Sequence, residues 1–125
     1  MVTLEELIKA FRKHEEEEIA KGLEIRDTST HRTEISDLTT FNHALIFVHN
    51  ELDQDLTVQL KGNWTRTYED AVNIGSSITV SAGESNAVGI SVTAGSWFPF
   101  VFAELSCSTA PSKGSVWVKV LKKPI

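Results

Sequence analysis

The chain has 125 residues and a mass of 13.8 kDa, with 41% hydrophobic and 23% charged residues, which fits one globular domain built on a single core. Its net charge of −5 and pI near 5.3 argue against a surface made for nucleic-acid phosphates, since that affinity is carried by clustered Lys and Arg. The single cysteine, Cys107, rules out an intrachain disulfide framework, and no uncharged apolar run reaches the roughly 20 residues of a membrane-spanning helix.

Residues 4–21 read as a helix. Thr3 and Glu6 form a capping box, and Leu4, Leu7, Ile8 and Phe11 recur at helical spacing. Glu5–Lys9, Lys13–Glu17 and Glu17–Lys21 are i,i+4 ion pairs, and Gly22 suits a helix stop. After Phe11 the same face carries His14, Glu15 and Glu18 before Ile19 resumes, so only the first two turns can pack against anything. Such a stripe fits a helix lying on the edge of a β-domain, or one that bundles copies through Leu4, Leu7, Ile8 and Phe11. It is too short to read as a coiled coil. The expected organisation is a helix over residues 1–22 and a β-domain over 23–125. Glu5 and Glu6 stand where a signal peptide would carry positive charge, so a soluble chain is expected, cytoplasmic as made or virion-associated.

From Leu23 the apolar period changes from 3.6 to 2. Leu23-Glu24-Ile25-Arg26 alternates, and a Thr/Ser-rich stretch from Asp27 to Thr40 follows. His43–Asn50 and Asp55–Gly62 read as a hairpin about the turn Glu51-Leu52-Asp53-Gln54, with Leu56, Val58 and Leu60 facing inward. Ser77–Ser81 and Ala87–Val92 make a second pair about Ala82-Gly83-Glu84; Trp97–Ser106 and Ser115–Leu121 make a third. About seven short strands with regular turn signals predict a mainly-β protein, an antiparallel β-sandwich of jelly-roll-like or Ig-like type with a short N-terminal α-helix. The basic positions Lys113, Lys119, Lys122 and Lys123 suit a terminal strand whose charges block edge pairing. Between Ala71 and Ser112 the only charged residues are Glu84 and Glu104, and the Ser, Thr, Asn and Gly that replace charge there cost little to desolvate.

Catalytic patterns are missing from this sequence. His14, His31, His43 and His49 follow no HxxxH or HExxH spacing, and no Ser lies in a G-x-S-x-G elbow. His43 and His49 share a strand face but lie about 20 Å apart, too far to hold one metal. Cys107 suits a small buried hydrophobe. The acidic turn from Asn50 to Asp55 offers oxygens but lacks the glycine that would wrap a backbone round calcium. Asn63-Trp64-Thr65 matches a glycosylation acceptor and reads as a chance match. No enzyme, cofactor or metal site is expected.

Aromatics carry the functional reading. In Trp97-Phe98-Pro99-Phe100-Val101-Phe102 both alternating sets are apolar, so a single sandwich would leave Phe98, Phe100 and Phe102 on its outside. These three, with Leu4, Leu7, Ile8 and Phe11, are the expected interface of a homo-oligomer. The alternative is a carbohydrate-binding β-sandwich module that stacks a sugar on Trp64, Tyr68 or Trp97, with Trp117 a further aromatic of that set.

The segment Trp97 to Val120, with Trp97-Phe98-Pro99-Phe100 and the turn Thr109-Ala110-Pro111-Ser112-Lys113-Gly114, resembles the last hairpin of small β-sandwich domains in phage- and prophage-associated structural proteins and thermophile surface proteins. Phe41–Asn63 looks like their central hairpin, and the likeness covers residues 40–121. It implies a non-enzymatic, oligomeric, virion-type structural module. The expected partners are copies of itself, in a cyclic arrangement, and other structural proteins, with neither nucleic acid nor membrane.

Overall fold

A computed structural model describes Thr3 and residues 15–124, which carry nine strands and no helix. In chain order these are β1 (Glu15–Leu23), β2 (His31–Arg32), β3 (Ser36–Asp37), β4 (Phe41–Asn50), β5 (Leu56–Asn63), β6 (Val72–Val80), β7 (Ser85–Ser91), β8 (Phe100–Ser106) and β9 (Val116–Pro124). One sheet runs β1-β9-β4-β7; the second runs β2-β8-β5-β6, with β3 also paired to β8. Every pair is antiparallel. With β2 and β3 taken as one interrupted strand, this order is the eight-stranded double Greek key of a jelly roll.

Alternation places the core. Ala44, Ile46 and Val48 of β4 and Val116, Val118 and Val120 of β9 point inward from the first sheet. Leu56, Val58 and Leu60 of β5 and Val101, Ala103 and Leu105 of β8 meet them from the second. β-Branched residues dominate the first group because they pack well on a pleated surface. The expected inward set Leu56, Val58 and Leu60 is therefore as the period-2 reading had it.

Strand pairing differs from the expected hairpins. β4 and β5 lie in different sheets, and so do β6 and β7, and β8 and β9. The segments between them are corners that carry the chain across the sandwich. A polar turn between alternating strands has the same composition whether it folds a hairpin back or crosses between layers. Here the packing of two sheets decides.

The helix expected over residues 4–21 is not formed in its second half, where Glu15–Leu23 is strand β1; residues 4–14 lie outside the described residues. The boundary drawn between residues 22 and 23 falls inside that strand. β9 needs a partner on the side away from β4, and a ladder that also buries Ile19 outweighs side-chain pairs worth a few tenths of a kcal/mol each. The carboxylates re-pair across the sheet instead, Glu16 with Lys119 at 3.4 Å and Glu17 with Lys122. Gly22 is no helix stop. Its φ of +63° makes a bulge in β1 where the register with β9 shifts, beside the Trp117 indole.

β9 is thus an interior strand, and its lysines do not guard an edge. Lys122 points inward and is buried at the open end of the core. Its ammonium pairs with Glu17, donates to the Asp37 carbonyl at 3.0 Å and lies 5.5 Å from the Phe41 ring centroid. Glu17 also accepts from the Ser36 hydroxyl at 3.0 Å. Replacing Lys122 by alanine is expected to cost about 2–3 kcal/mol in urea unfolding, because the half-buried Glu17 carboxylate loses its cation. The double change Glu17→Leu with Lys122→Met should recover most of that loss.

Candidate functional site

The two-sided apolar strand β8 is covered from within the chain. Val101, Ala103 and Leu105 face the core, while Phe102 on the opposite side is only 1% exposed. Its cover is Tyr68, whose ring meets Phe102 edge-on at 4.8 Å between centroids. Arg32 lies over the Tyr68 ring at 5.1 Å, and the phenol donates to the Thr33 carbonyl at 2.8 Å. Asn63 shapes the loop that carries Tyr68. Its amide nitrogen donates to the carbonyls of Thr67 at 3.1 Å and Glu69 at 2.7 Å, and its oxygen accepts from the Trp64 N–H at 2.8 Å.

Phe98 and Phe100 are half-buried. Phe98 fits against Gly62, where an added Cβ would overlap its ring. The expectation that Phe98, Phe100 and Phe102 form one outward face awaiting another subunit is therefore corrected for Phe102. The sequence did not reveal this cover because Tyr68 lies 34 positions away and reaches β8 only through the β5–β6 loop.

The aromatics proposed for sugar stacking do not share one platform. Tyr68 is engaged as described, and Trp97 packs on the core with its indole N–H buried and lacking a hydrogen-bond partner. Trp64 alone of the three keeps an open ring, at 78% exposed.

The surface that does collect exposed apolar groups is the outer face of the four-stranded sheet. Outward residues of β4, β9 and β7 meet in rows: His49 with Trp117 and Ser85, Phe47 with Lys119 and Ala87, Leu45 with Leu121 and Gly89, and His43 with Lys123 and Ser91. Leu45, Phe47 and Trp117 are 38%, 41% and 37% exposed. A groove of about 530 Å³ lies at the His43–Lys123 end, floored by Leu45, Gly89 and Leu121. A smaller hollow of about 230 Å³ lies at the Phe47–Trp117 end, beside Glu18 of β1. The alternating pattern of β4 was readable, but an exposed apolar face there also needs Gly89 opposite Leu45, which only the β4–β7 register supplies.

The remaining polar groups serve the fold. His49 contacts the Ser85 hydroxyl at 2.6 Å and Glu51 at 3.0 Å, while His43 contacts Asn42 at 2.6 Å, at the other end of β4. In the acidic turn, Asp53 accepts from the Ser112 amide and hydroxyl, Asp55 from the Ala82 amide, and Asn50 from the Leu52 amide. These oxygens face separate protein donors and do not converge on a cation. Among the described residues no cluster of three His, Cys, Asp or Glu side chains could hold a metal. Cys107 is buried, and burial raises its thiol pKa above the ordinary value.

No family model matches the sequence, and no curated protein matches it. Solved structures do match the fold. Over 88% of this chain the jelly roll superposes on the PBSX exported protein XepA with a TM-score of 0.61 and 10% identity. The match spans 37% of XepA's own length. It superposes on a protein of the Bacillus endospore appendages, described as disulfide-linked pili, with a TM-score of 0.57 and 8% identity, over 90% of this chain and 88% of that one. The SPBc2 prophage-derived protein YomS matches with a TM-score of 0.56 and 9% identity, over 88% and 92% of the two chains. The likeness to prophage-associated β-sandwich domains is thereby borne out at the level of fold.

Phe102→Ala is expected to cost about 3–5 kcal/mol of stability while leaving the native particle mass of the folded fraction unchanged, as befits a core residue. Trp97→Phe should change stability by less than about 1 kcal/mol, because it also removes a buried donor that lacks an acceptor. The acid limb has a defined sign. Thr39's amide and hydroxyl hold Asp37 below the ordinary carboxylate range, and Ser112's hydroxyl and amide do the same for Asp53. Their contribution to stability is present above the unfolded-state pKa and is lost as pH falls through the lowered folded values. Asp53→Asn should therefore flatten the decline in denaturation midpoint below about pH 4.

Proposed function

We propose that this protein is a non-enzymatic structural subunit that self-associates into a homo-oligomer of virion or appendage type. The observation that carries the reading is the exposed apolar row of Leu45, Phe47 and Trp117 on an outer sheet face, in a domain that has already covered its other surplus aromatic face internally. The edges add support. β6 and β7 terminate their sheets and carry no Lys, Arg or Asp, with Glu84 just before β7, whereas β1 at the opposite edge begins with four consecutive glutamates. An uncharged edge is open to a neighbouring strand and a charged one is guarded.

The solved structures of similar fold fit this direction, since YomS is prophage-derived by description and the endospore appendages are described as pili. Disulfide linkage is not carried over to Cys107, which is 2% exposed, so association at these surfaces is non-covalent. The interface residues are accordingly Phe47, Trp117 and the β6–β7 edge. Leu4, Leu7, Ile8 and Phe11, expected from the sequence as a bundling stripe, lie outside the described residues.

Light scattering over a dilution series tests the reading. A particle heavier than the 13.8 kDa chain is expected at micromolar concentration. Phe47→Glu should weaken association roughly thirtyfold, equivalent to the ~2 kcal/mol of an interface hot spot, without loss of β-structure by circular dichroism. A wild-type chain that stays monomeric throughout would remove the reading.

A further inference from the structure

Among the described residues, one sheet edge is both straight and neutral. β1 opens with residues 15–18, all glutamate, and the edge of the second sheet at β2 and β3 is broken into two-residue pieces. β6 is bent at Gly75, φ +66°, where its register with β5 shifts and the Gln59 amide donates to the Gly75 carbonyl at 3.2 Å. β7 instead follows β4 from Ser85 to Ser91 without a shift, carries no charged residue, and pairs among the described residues with β4 alone.

The register shows which backbone groups that edge offers. The Asn50 amide donates to the Glu84 carbonyl and the Val92 amide to the Asn42 carbonyl, both at 2.9 Å, so the even-numbered residues of β7 bond to β4. The N–H and C=O groups of Ser85, Ala87, Gly89 and Ser91 therefore point away from the sheet. At one end Ser91 is occupied, its amide donating to the Ser96 hydroxyl and its carbonyl accepting from the Ser96 amide, both at 3.1 Å. The Ala87 amide meets only the side-chain oxygen of its neighbour Asn86, at 2.8 Å. The outward side chains from Ser85 to Gly89 are small, and an added Cβ at Gly89 would meet nothing within 4 Å.

We propose that β7 pairs with β7 of a second copy about a two-fold axis at Ala87, joining the two four-stranded sheets into one. This rests on the self-association proposed above and names the edge and register that carry it. The free stretch is complementary to itself. With Ala87 facing Ala87, Ser85 faces Gly89 on both sides of the axis, and each facing pair exchanges both backbone bonds. Only the Asn86 contact is given up, and the bonds between Ser91 and Ser96 are kept. A two-fold axis also sets each residue near its own copy, so a charged edge repels itself and this neutral one does not. On the outer face, the row of Phe47 and Ala87 in one copy runs on into the same row of the other. The glutamates of β1 bound the joined sheet at both ends, so this contact closes as a dimer.

Sedimentation velocity on the full chain tests the pairing at residue 87, whose side chain is exposed on the outer face. Ala87→Lys and Ala87→Glu each bring like charges together across the axis and should each weaken association roughly fivefold, with circular dichroism unchanged. An equimolar mixture of the two should recover association to within about twofold of wild type, because unlike charges then face each other. Ala87→Pro removes the outward N–H, spares the ladder to β4 and should weaken association roughly tenfold. A folded variant that associates as tightly as wild type, or a mixture as weak as its components, would overturn the β7 pairing and leave the homo-oligomer standing. A monomeric wild type would remove both.

Discussion

Strand β8 is apolar on both sides, and a two-layer sandwich can bury only one side of any strand against its partner sheet. The rest of the second sheet is arranged round that constraint. The β5–β6 loop lays Tyr68 on Phe102, Arg32 of β2 closes over Tyr68, and the phenol is tied to Thr33. Thr33 is itself bonded to β8, its hydroxyl accepting from the Ala103 amide at 2.9 Å and its own amide donating to the Ala103 carbonyl at 3.0 Å. The short β2 segment is therefore held by side chains as much as by its two-residue ladder with β8. What looked in sequence like surface waiting for a partner is a third, partial layer supplied by loops.

The first sheet meets the opposite problem. Its outer side receives no such loop among the described residues, and its central strands β4 and β9 still place Leu45, Phe47 and Trp117 there. The two sheets thus differ in kind. The second is closed by its own connections, while the first presents an apolar field with His43 and His49 at the two ends of β4, Lys119 and Lys123 on β9, and Glu16 and Glu18 of β1 along one edge. That asymmetry leaves the outer side of the first sheet as the face on which exposed apolar groups collect.

Much of this was legible in the sequence and some of it was not, for physical reasons tied to particular residues. Period-2 alternation located the strands and the inward set of β5 because each side chain's face depends only on its own strand. Pairing depends on which strand comes alongside, and nothing local in Glu51–Asp55 separates a hairpin from a corner. Residues 15–21 read as helix for a related reason. Their i,i+4 charges favour a helix in isolation, and the ladder with β9 that outweighs them is supplied by residues about a hundred positions away. The cover over Phe102 comes from Tyr68 in the same chain, which no local pattern around Phe102 reveals.

The hydrogen bonds of Asn63 decide how reachable its side-chain nitrogen is. In the folded domain its side-chain nitrogen is committed to two carbonyls of its own loop and is nearly buried. In a compartment equipped for N-linked glycosylation, a sugar could join the Asn63-Trp64-Thr65 site only by reaching that nitrogen before the β5–β6 loop closes. Once attached, it would hold the loop open and strip Phe102 of its lid. In the folded chain the same two bonds close that nitrogen off and keep the β5–β6 loop shut over Phe102, in keeping with a chance match at this tripeptide.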